Sequence, residues 1–331
     1  MYFWLGICLS LAGLLVLNAL TSLVAAAVWR RLAPRAALWP ARERARVIFT
    51  LRTAPVVGSA VFVLAVLLPS FLANEPYETQ ERLGWTLTLL AKASLLGLLL
   101  AAWRGLAAWR STRRLARSWL AQATPVSLPG LSFPAFRFDH PFPVVAVIGV
   151  LRPQLFIAES LLTALSPEEL QSVLRHEAGH LAARDNLKRM ILRACRDALA
   201  IIPCGRALDR AWAASAEMAA DDFAARAGAN ASLNLASALL KIARQARPGL
   251  RPTMPLGAYL FDGEENTEAL ANRVRHLARA AESPAVRPAL WRLDLVVWFG
   301  LGGFLLLLLL AVWGLDASPA LHHFVEHAVI N

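Results

Sequence analysis

The chain has 331 residues, 57% hydrophobic and only 17% charged, and its apolar residues fall in long blocks. That excludes an ordinary water-soluble globular protein and points to one embedded in a membrane. The formal net charge of +11 would suit nucleic acid, but the arginines flank the apolar blocks. They match membrane lipids with anionic headgroups, and direct nucleic-acid binding is not expected.

The first apolar block, Tyr2 to Trp29, is uncharged up to Arg30-Arg31. It is too long for a signal-peptide core, lacks a basic leader, and reads as a membrane span. Arg30 to Arg52 carries seven arginines against one acid, Glu43, and reads as a basic loop. A second span covers about Ala54 to Leu72, with Pro55 and Pro69 near its ends, where they do least harm. A short acidic loop follows, with Glu75, Glu78 and Glu81. The third span, about Leu83 to Trp103, is followed by Arg104, Arg110, Arg113, Arg114 and Arg117. Basic flanks stay cytoplasmic, so the N-terminus is expected outside. Lys92 lies inside the third span, where a lysine either serves a function, faces the bundle or snorkels to the interface.

From about Ser118 to Pro288 charge density is ordinary and no run is long enough to span. Pro125 to Pro143 reads as irregular. Val144 to Val150 and Gln154 to Ala158 are predicted strands. They form either a structural hairpin or an edge that an extended substrate joins as an added strand. His140 is a weak metal-ligand candidate in a loop. Cys195 and Cys204 are too far apart for a C-x-x-C pair, and three cysteines in all make no disulfide framework.

Ser166-Pro167-Glu168-Glu169 is a capping box with proline at the first helical position. Leu170, Val173, Leu174 and Leu181 then recur at helical spacing. On that helix His176 and His180 lie one turn apart, about 6 Å between β-carbons, close enough to bind one zinc ion. Glu177 is placed to take a proton from water at the metal. Ala178 and Gly179 let another element approach closely. The helix is predicted to continue through Asp185, which braces its end, toward Cys195.

Further on, Glu217 and Asp221 share a face of an alanine-rich helix. Glu217 is the expected third ligand, and Asp221 the partner that accepts the free ring N–H of a ligand histidine. The bland alternative is a solvated acidic face with Asp222 and Arg226. Ala231 to Ala246 and Thr267 to Ala281 are predicted helices, with Pro248 to Asn266 between them as a lid or substrate loop. Arg273 and His276 are expected on a solvated helix face, with oxyanion stabilisation as the alternative. Leu293 to Leu315 is a predicted fourth span. The last residues, 316–331, form a short external tail in which His322, His323, Glu326 and His327 suggest an amphipathic surface or a metal site.

This order resembles the membrane metallopeptidases typified by the BlaR and MecR antibiotic-sensing transducers. The residues that carry the resemblance are Gly149, Pro153, Ser166-Pro167-Glu168-Glu169-Leu170, the HEAGH pentapeptide at 176–180, Asp185, the Glu217/Asp221 pair and Arg273-Val274. The resemblance implies a gluzincin-type endopeptidase with a cytoplasmic active site, and cleavage of a transcriptional repressor in regulatory signalling. No Ser-x-x-Lys occurs in the chain, so a penicillin-binding sensor is not expected here and a separate sensor protein would be needed. Ala220, where that family often has cysteine, makes the chain look equally like the HtpX and CAAX-processing membrane proteases, with quality control or processing as the function. A non-catalytic membrane transducer or scaffold is the third reading.

The fold expected is mainly α: four transmembrane helices plus a cytoplasmic α+β zincin-like domain with a small β-hairpin or sheet. Residues 1–117 hold three spans with basic cytoplasmic loops, 118–288 the zinc metallopeptidase domain, and 289–315 the fourth span. The setting is a bacterial-type inner membrane, with both termini outside. The expected chemistry is peptide-bond hydrolysis with one zinc per chain, held by His176, His180 and Glu217. Glu177 is the base, and Asp221 and Asp185 are outer partners.

Overall fold

Apolar composition makes the first third of the chain helical, and three helices there are long and apolar enough to cross a membrane. The computed structural model describes residues 2–74, 84–128, 133–150, 152–198, 205–228, 230–246, 258–259 and 267–282. The predicted fourth span, the histidine-containing tail, Cys204, residues 75–82 of the acidic loop and most of the 248–266 loop lie outside the described residues.

Helix α1 is Tyr2–Ala36, and α2 is Ala41–Phe62. A π-helical turn, Val63–Leu67, joins α2 to α3, Leu68–Asn74, so that Ala41–Ala73 forms one rod. The π turn has a local cause. Pro69 has no N–H for the carbonyl four residues back, and the wider turn accommodates that gap just ahead of it. Pro55 lies inside α2 rather than at a span's end. Helix α4, Trp85–Leu120, is roughly 54 Å long at 1.5 Å per residue, well beyond the ~30 Å of hydrocarbon. Lys92 is exposed on it.

The segment read as a basic loop is therefore mostly helix. Its arginines have work in the protein interior: Arg44 Nε donates to Ser215 Oγ (2.8 Å), and Arg52 Nε to Asp209 Oδ1 (3.2 Å). Both partners lie on helix α8, Gly205–Ala225. The Arg52 guanidinium lies close over Gly205, where a β-carbon would stand 2.7 Å from it and oblige the side chain to shift.

Beyond the spans comes a sheet of β1 (Thr124–Val126), β2 (Ala135–Phe138), β3 (Val145–Ile148), β4 (Gln154–Ala158) and the two-residue β5 (Ala258–Tyr259), in the order β1-β2-β4-β3-β5. Strand β2 runs parallel to β4, and the other pairs are antiparallel. The predicted hairpin is thus the centre of a larger sheet. Its apolar runs are buried on both faces, as the period of two requires. Val145 and Val147 pack with Leu155, Ile157 and Val173 on one side. Ala146 and Ile148 pack with Phe138, Phe156 and Trp119 of α4 on the other.

Ala158 N–H donates to Val144 O (2.8 Å), so the backbone groups of Val145, Val147 and Gly149 face away from β4. β5 already pairs there, at Ala146 and Val147. The β3 edge, offered above as an alternative site for a substrate strand, is paired at these two residues by the chain itself.

Short helix α5 (Glu159–Ala164) leads to α6 (Pro167–Ala183), α7 (Asp185–Ala198), α8, α9 (Ala231–Gln245) and α10 (Thr267–Glu282). The capping box of α6 is complete: Ser166 Oγ accepts from Glu169 N–H (3.3 Å), and Glu169 Oε2 accepts from Ser166 N–H (2.8 Å). Glu169 also accepts from Ser237 Oγ (2.7 Å) and Lys241 Nζ (2.8 Å), which ties α6 to α9. Burial opposes its charge, but these three donors outweigh that and hold the carboxyl below its ordinary range. A carboxylate with a lowered folded-state pKa adds stability above its unfolded value and loses it as pH falls through the folded one. Glu169→Ala should therefore cost about 1–3 kcal/mol at neutral pH, and the difference between variant and wild type should shrink under acid. Unfolding measured across pH checks both.

Candidate metal centre

The site is built by α6, α7, α8 and α10. Helix α6 presents His176, Glu177 and His180, all buried, and both imidazoles approach carboxylates of α8. Contact is close because residue 179 is glycine: a β-carbon would meet Ala220 Cα and Phe223 Cβ at 3.2 Å. From α8 come Glu217 and Asp221, one turn apart.

The helix predicted to run from 167 toward Cys195 ends instead at Arg184, in the left-handed region (φ 54°, ψ 41°). Its N–H caps the helix on His180 O and Leu181 O, and α7 starts afresh at Asp185. The break turns Asp185 back on the site, where its Oδ2 lies 2.8 Å from His180 Nδ1. Asp185 thus does more than brace a helix end. The next residue, Asn186, donates from Nδ2 to Val147 O and Gly149 O (both 3.1 Å), fixing α7 to the sheet. Gly149 has φ +110°, and a β-carbon there would stand 2.5 Å from Arg152 O, so glycine is required.

Each imidazole faces a carboxylate with Nδ1: His176 Nδ1 lies 2.8 Å from Asp221 Oδ1, matching the Asp185–His180 pair. For His180 that contact is a hydrogen bond, which places the proton at Nδ1 and leaves Nε2 as the donor atom; His176 Nδ1 makes no hydrogen bond among the described residues, and its proximity to Asp221 favours the same tautomer. The two Nε2 atoms are 3.1 Å apart, and each is 3.6 Å from Glu217 Oε2. Tetrahedral zinc with bonds of 2.0–2.2 Å puts neighbouring ligand atoms roughly 3.3–3.6 Å apart, so the spacing fits. Glu217 Oε2 and both oxygens of Glu177 are buried with no hydrogen-bond partner among the described residues. His176, His180 and Glu217 form a buried group that can hold a metal ion, their ligand atoms all within 4.8 Å of one another.

The charges favour a cation. Glu177, Glu217, Asp221 and Asp185 stand against Arg189, Arg273 and Lys188, so with neutral imidazoles and ionised carboxylates negative charge is in excess by one. Burial lowers the histidines' affinity for protons, yet the surrounding carboxylates outweigh it. Glu217 and Asp185 push His180 up to about 10, and the Asp221 and Glu217 carboxylates raise His176. Burial raises Glu177. Burial would also raise Asp221 and Glu217, but Arg273 holds Asp221 far below its usual range, and His180 and His176 hold Glu217 well below its own.

Arg273 does not lie on a solvated face. It is buried, its Nε and Nη2 donate to Asp221 Oδ2 (2.9 Å) and Oδ1 (2.8 Å), and Nη1 lies 3.5 Å from Glu217 Oε2. His276, half-buried, pairs with Asp222 at 2.6 Å. Arg189, one turn beyond Asp185 on α7, donates from Nη2 to Glu217 Oε1 (3.0 Å). Nothing in the sequence pattern had singled it out, although spacing of four from Asp185 puts both on one face. His140 stands apart, its Nδ1 accepting from Phe142 N–H at 3.0 Å in a local turn.

No curated protein matches the sequence. Residues 110–205, less than a third of the chain, match the family model of Peptidase family M48; the match takes in β1 to β4, α6 and α7 but stops short of Glu217, Asp221 and β5. Over the stretch carrying His176, Glu177, His180 and Asp185, the chain is similar to the metallopeptidases of that family.

Proposed function

We propose that the chain is a membrane-embedded zinc endopeptidase that hydrolyses peptide bonds of a protein on the cytoplasmic side. The observation that carries this reading is the convergence of His176, His180 and Glu217 beside a buried glutamate whose two oxygens have no partner among the described residues. A structural carboxylate would be hydrogen-bonded, whereas a general base keeps its oxygens free for a proton.

Zinc held by these residues would supply Lewis acidity, polarising the scissile carbonyl and acidifying a water molecule. Glu177 takes the proton from the attacking water at a carboxylate oxygen and later delivers it to the leaving amine. Asp221 and Asp185 keep the imidazoles in the tautomer that leaves Nε2 free. Glu177 is buried, so its carboxylate is shielded from bulk water. The peptidase-family match supports hydrolysis of protein. Regulated cleavage of a repressor rests on the resemblance to the sensor transducers alone, whereas processing or quality control of membrane proteins draws on the match and the three apolar helices. The arginines that flank the spans support the cytoplasmic placement.

The test is zinc stoichiometry by elemental analysis of detergent-purified protein, wild type beside Glu217→Ala. One zinc per chain, lost or much weakened in the variant, is expected. A well-folded wild type without zinc would sink the peptidase reading and leave the scaffold.

A further inference from the structure

Each of the three residues in the metal cluster has an outer partner of its own. Asp221 faces His176 and Asp185 faces His180. For Glu217 the partner is Arg189, at 3.0 Å from Oε1, while Oε2 has no hydrogen-bond partner among the described residues and stands 3.6 Å from both imidazole Nε2 atoms. The carboxylate is thereby divided into one occupied oxygen and one free one.

We propose that Arg189 is a positioning residue that makes Glu217 a one-oxygen ligand and so keeps a coordination position open. This rests on the zinc reading above. A carboxylate with both oxygens free can bind a cation through the pair and fill the place that a catalytic site reserves for water or substrate. A guanidinium on Oε1 prevents that, because the oxygen is already engaged by a charge-assisted donor.

The surroundings support a positioning role. Arg189 lies over the ring of Trp212 at 5.9 Å, and Trp212 is itself buried on α8, five residues before Glu217. The guanidinium is thus aligned by the helix that carries its target. Its Nε–H is buried without a partner among the described residues, so its placement serves Glu217 rather than its own hydrogen bonding. Arg273 cannot substitute, since it is committed to both oxygens of Asp221 and approaches Glu217 from the Oε2 side.

The experiment replaces the metal with cobalt in the full-length, detergent-purified protein and records the visible spectrum of wild type, Arg189→Met and Arg189→Lys. Wild type should show the strong absorption of four-coordinate cobalt. In Arg189→Met, with one metal still bound, the absorption should fall severalfold to that of a higher-coordinate ion. In Arg189→Lys, which keeps one charged donor, it should be partly restored. A spectrum unchanged in both variants at full occupancy overturns the proposal and leaves the peptidase reading intact. A wild type that binds neither zinc nor cobalt removes both. If Arg189→Met does not fold, Arg189→Ala, which likewise lacks a donor, takes its place: an unchanged spectrum at full occupancy refutes the role, and a reduced one supports it.

Discussion

Glu177→Gln should keep its metal and lose hydrolysis by about 10²- to 10⁴-fold. Glutamine has nearly the same volume, so the packing of α6 against α8 survives. Nor does Glu177 serve a ligand, since neither of its oxygens has a partner among the described residues. What is lost is the ability to accept a proton. Burial holds the Glu177 carboxyl above its ordinary pKa, which suits a group that must take a proton from water and then give it up. The measurement is cleavage of a fluorescent casein probe beside elemental analysis of the same preparation. Full metal with no cleavage is the expected pair of results. Wild-type cleavage by the variant would show that the proton goes elsewhere.

Arg273→Met should produce the largest loss of stability in the soluble part. The substitution leaves Asp221 buried with its bidentate partner gone, and breaking a buried pair on one side costs about 3–5 kcal/mol. Asp221 then either remains charged without compensation or takes a proton, and in both cases His176 loses the carboxylate that orients it. Metal affinity should therefore fall about 10- to 100-fold as well. Thermal unfolding with and without a chelator separates the two effects: the loss should appear in the metal-free protein and widen when metal is present. A midpoint unchanged in both conditions would mean that Asp221 finds another partner.

Most of the α6 face was legible in the sequence, because everything that builds it is local. Ser166, Pro167 and Glu169 set the start of the helix, and a spacing of four puts His176 and His180 together. Val145–Ile148 and Gln154–Ala158 were legible for the same reason, being short β-branched or apolar runs bounded by turn residues. The rest depended on contacts between distant residues. Arg273 meets Asp221 across 52 positions and Arg189 meets Glu217 across 28. On a helical wheel each looks like any solvated arginine. The end of α6 was missed for another reason. Arg184 adopts a left-handed conformation that glycine or asparagine usually announces, and here tertiary contacts at Asp185 and Asn186 impose it. The basic stretch after the first span was read as a loop from its charge, whereas α8 supplies Ser215 and Asp209 to receive the side chains of Arg44 and Arg52.

The long α4 and the α2–α8 contact bear on how the protein can be handled. Cutting the chain at Ser118 to obtain a soluble enzyme would sever α4 two residues before its end and destroy the support of Trp119, whose ring packs on Phe138 and Phe156. It would also remove Ile48, which with Leu208, Trp212 and Ala216 forms a buried cluster on α8, and leave Asp209 without Arg52. The exposed strip would run along the helix that carries Glu217. The helices long and apolar enough to cross a membrane share a packed core with the helix that carries Glu217, so a fragment that keeps the metal cluster has to keep them too.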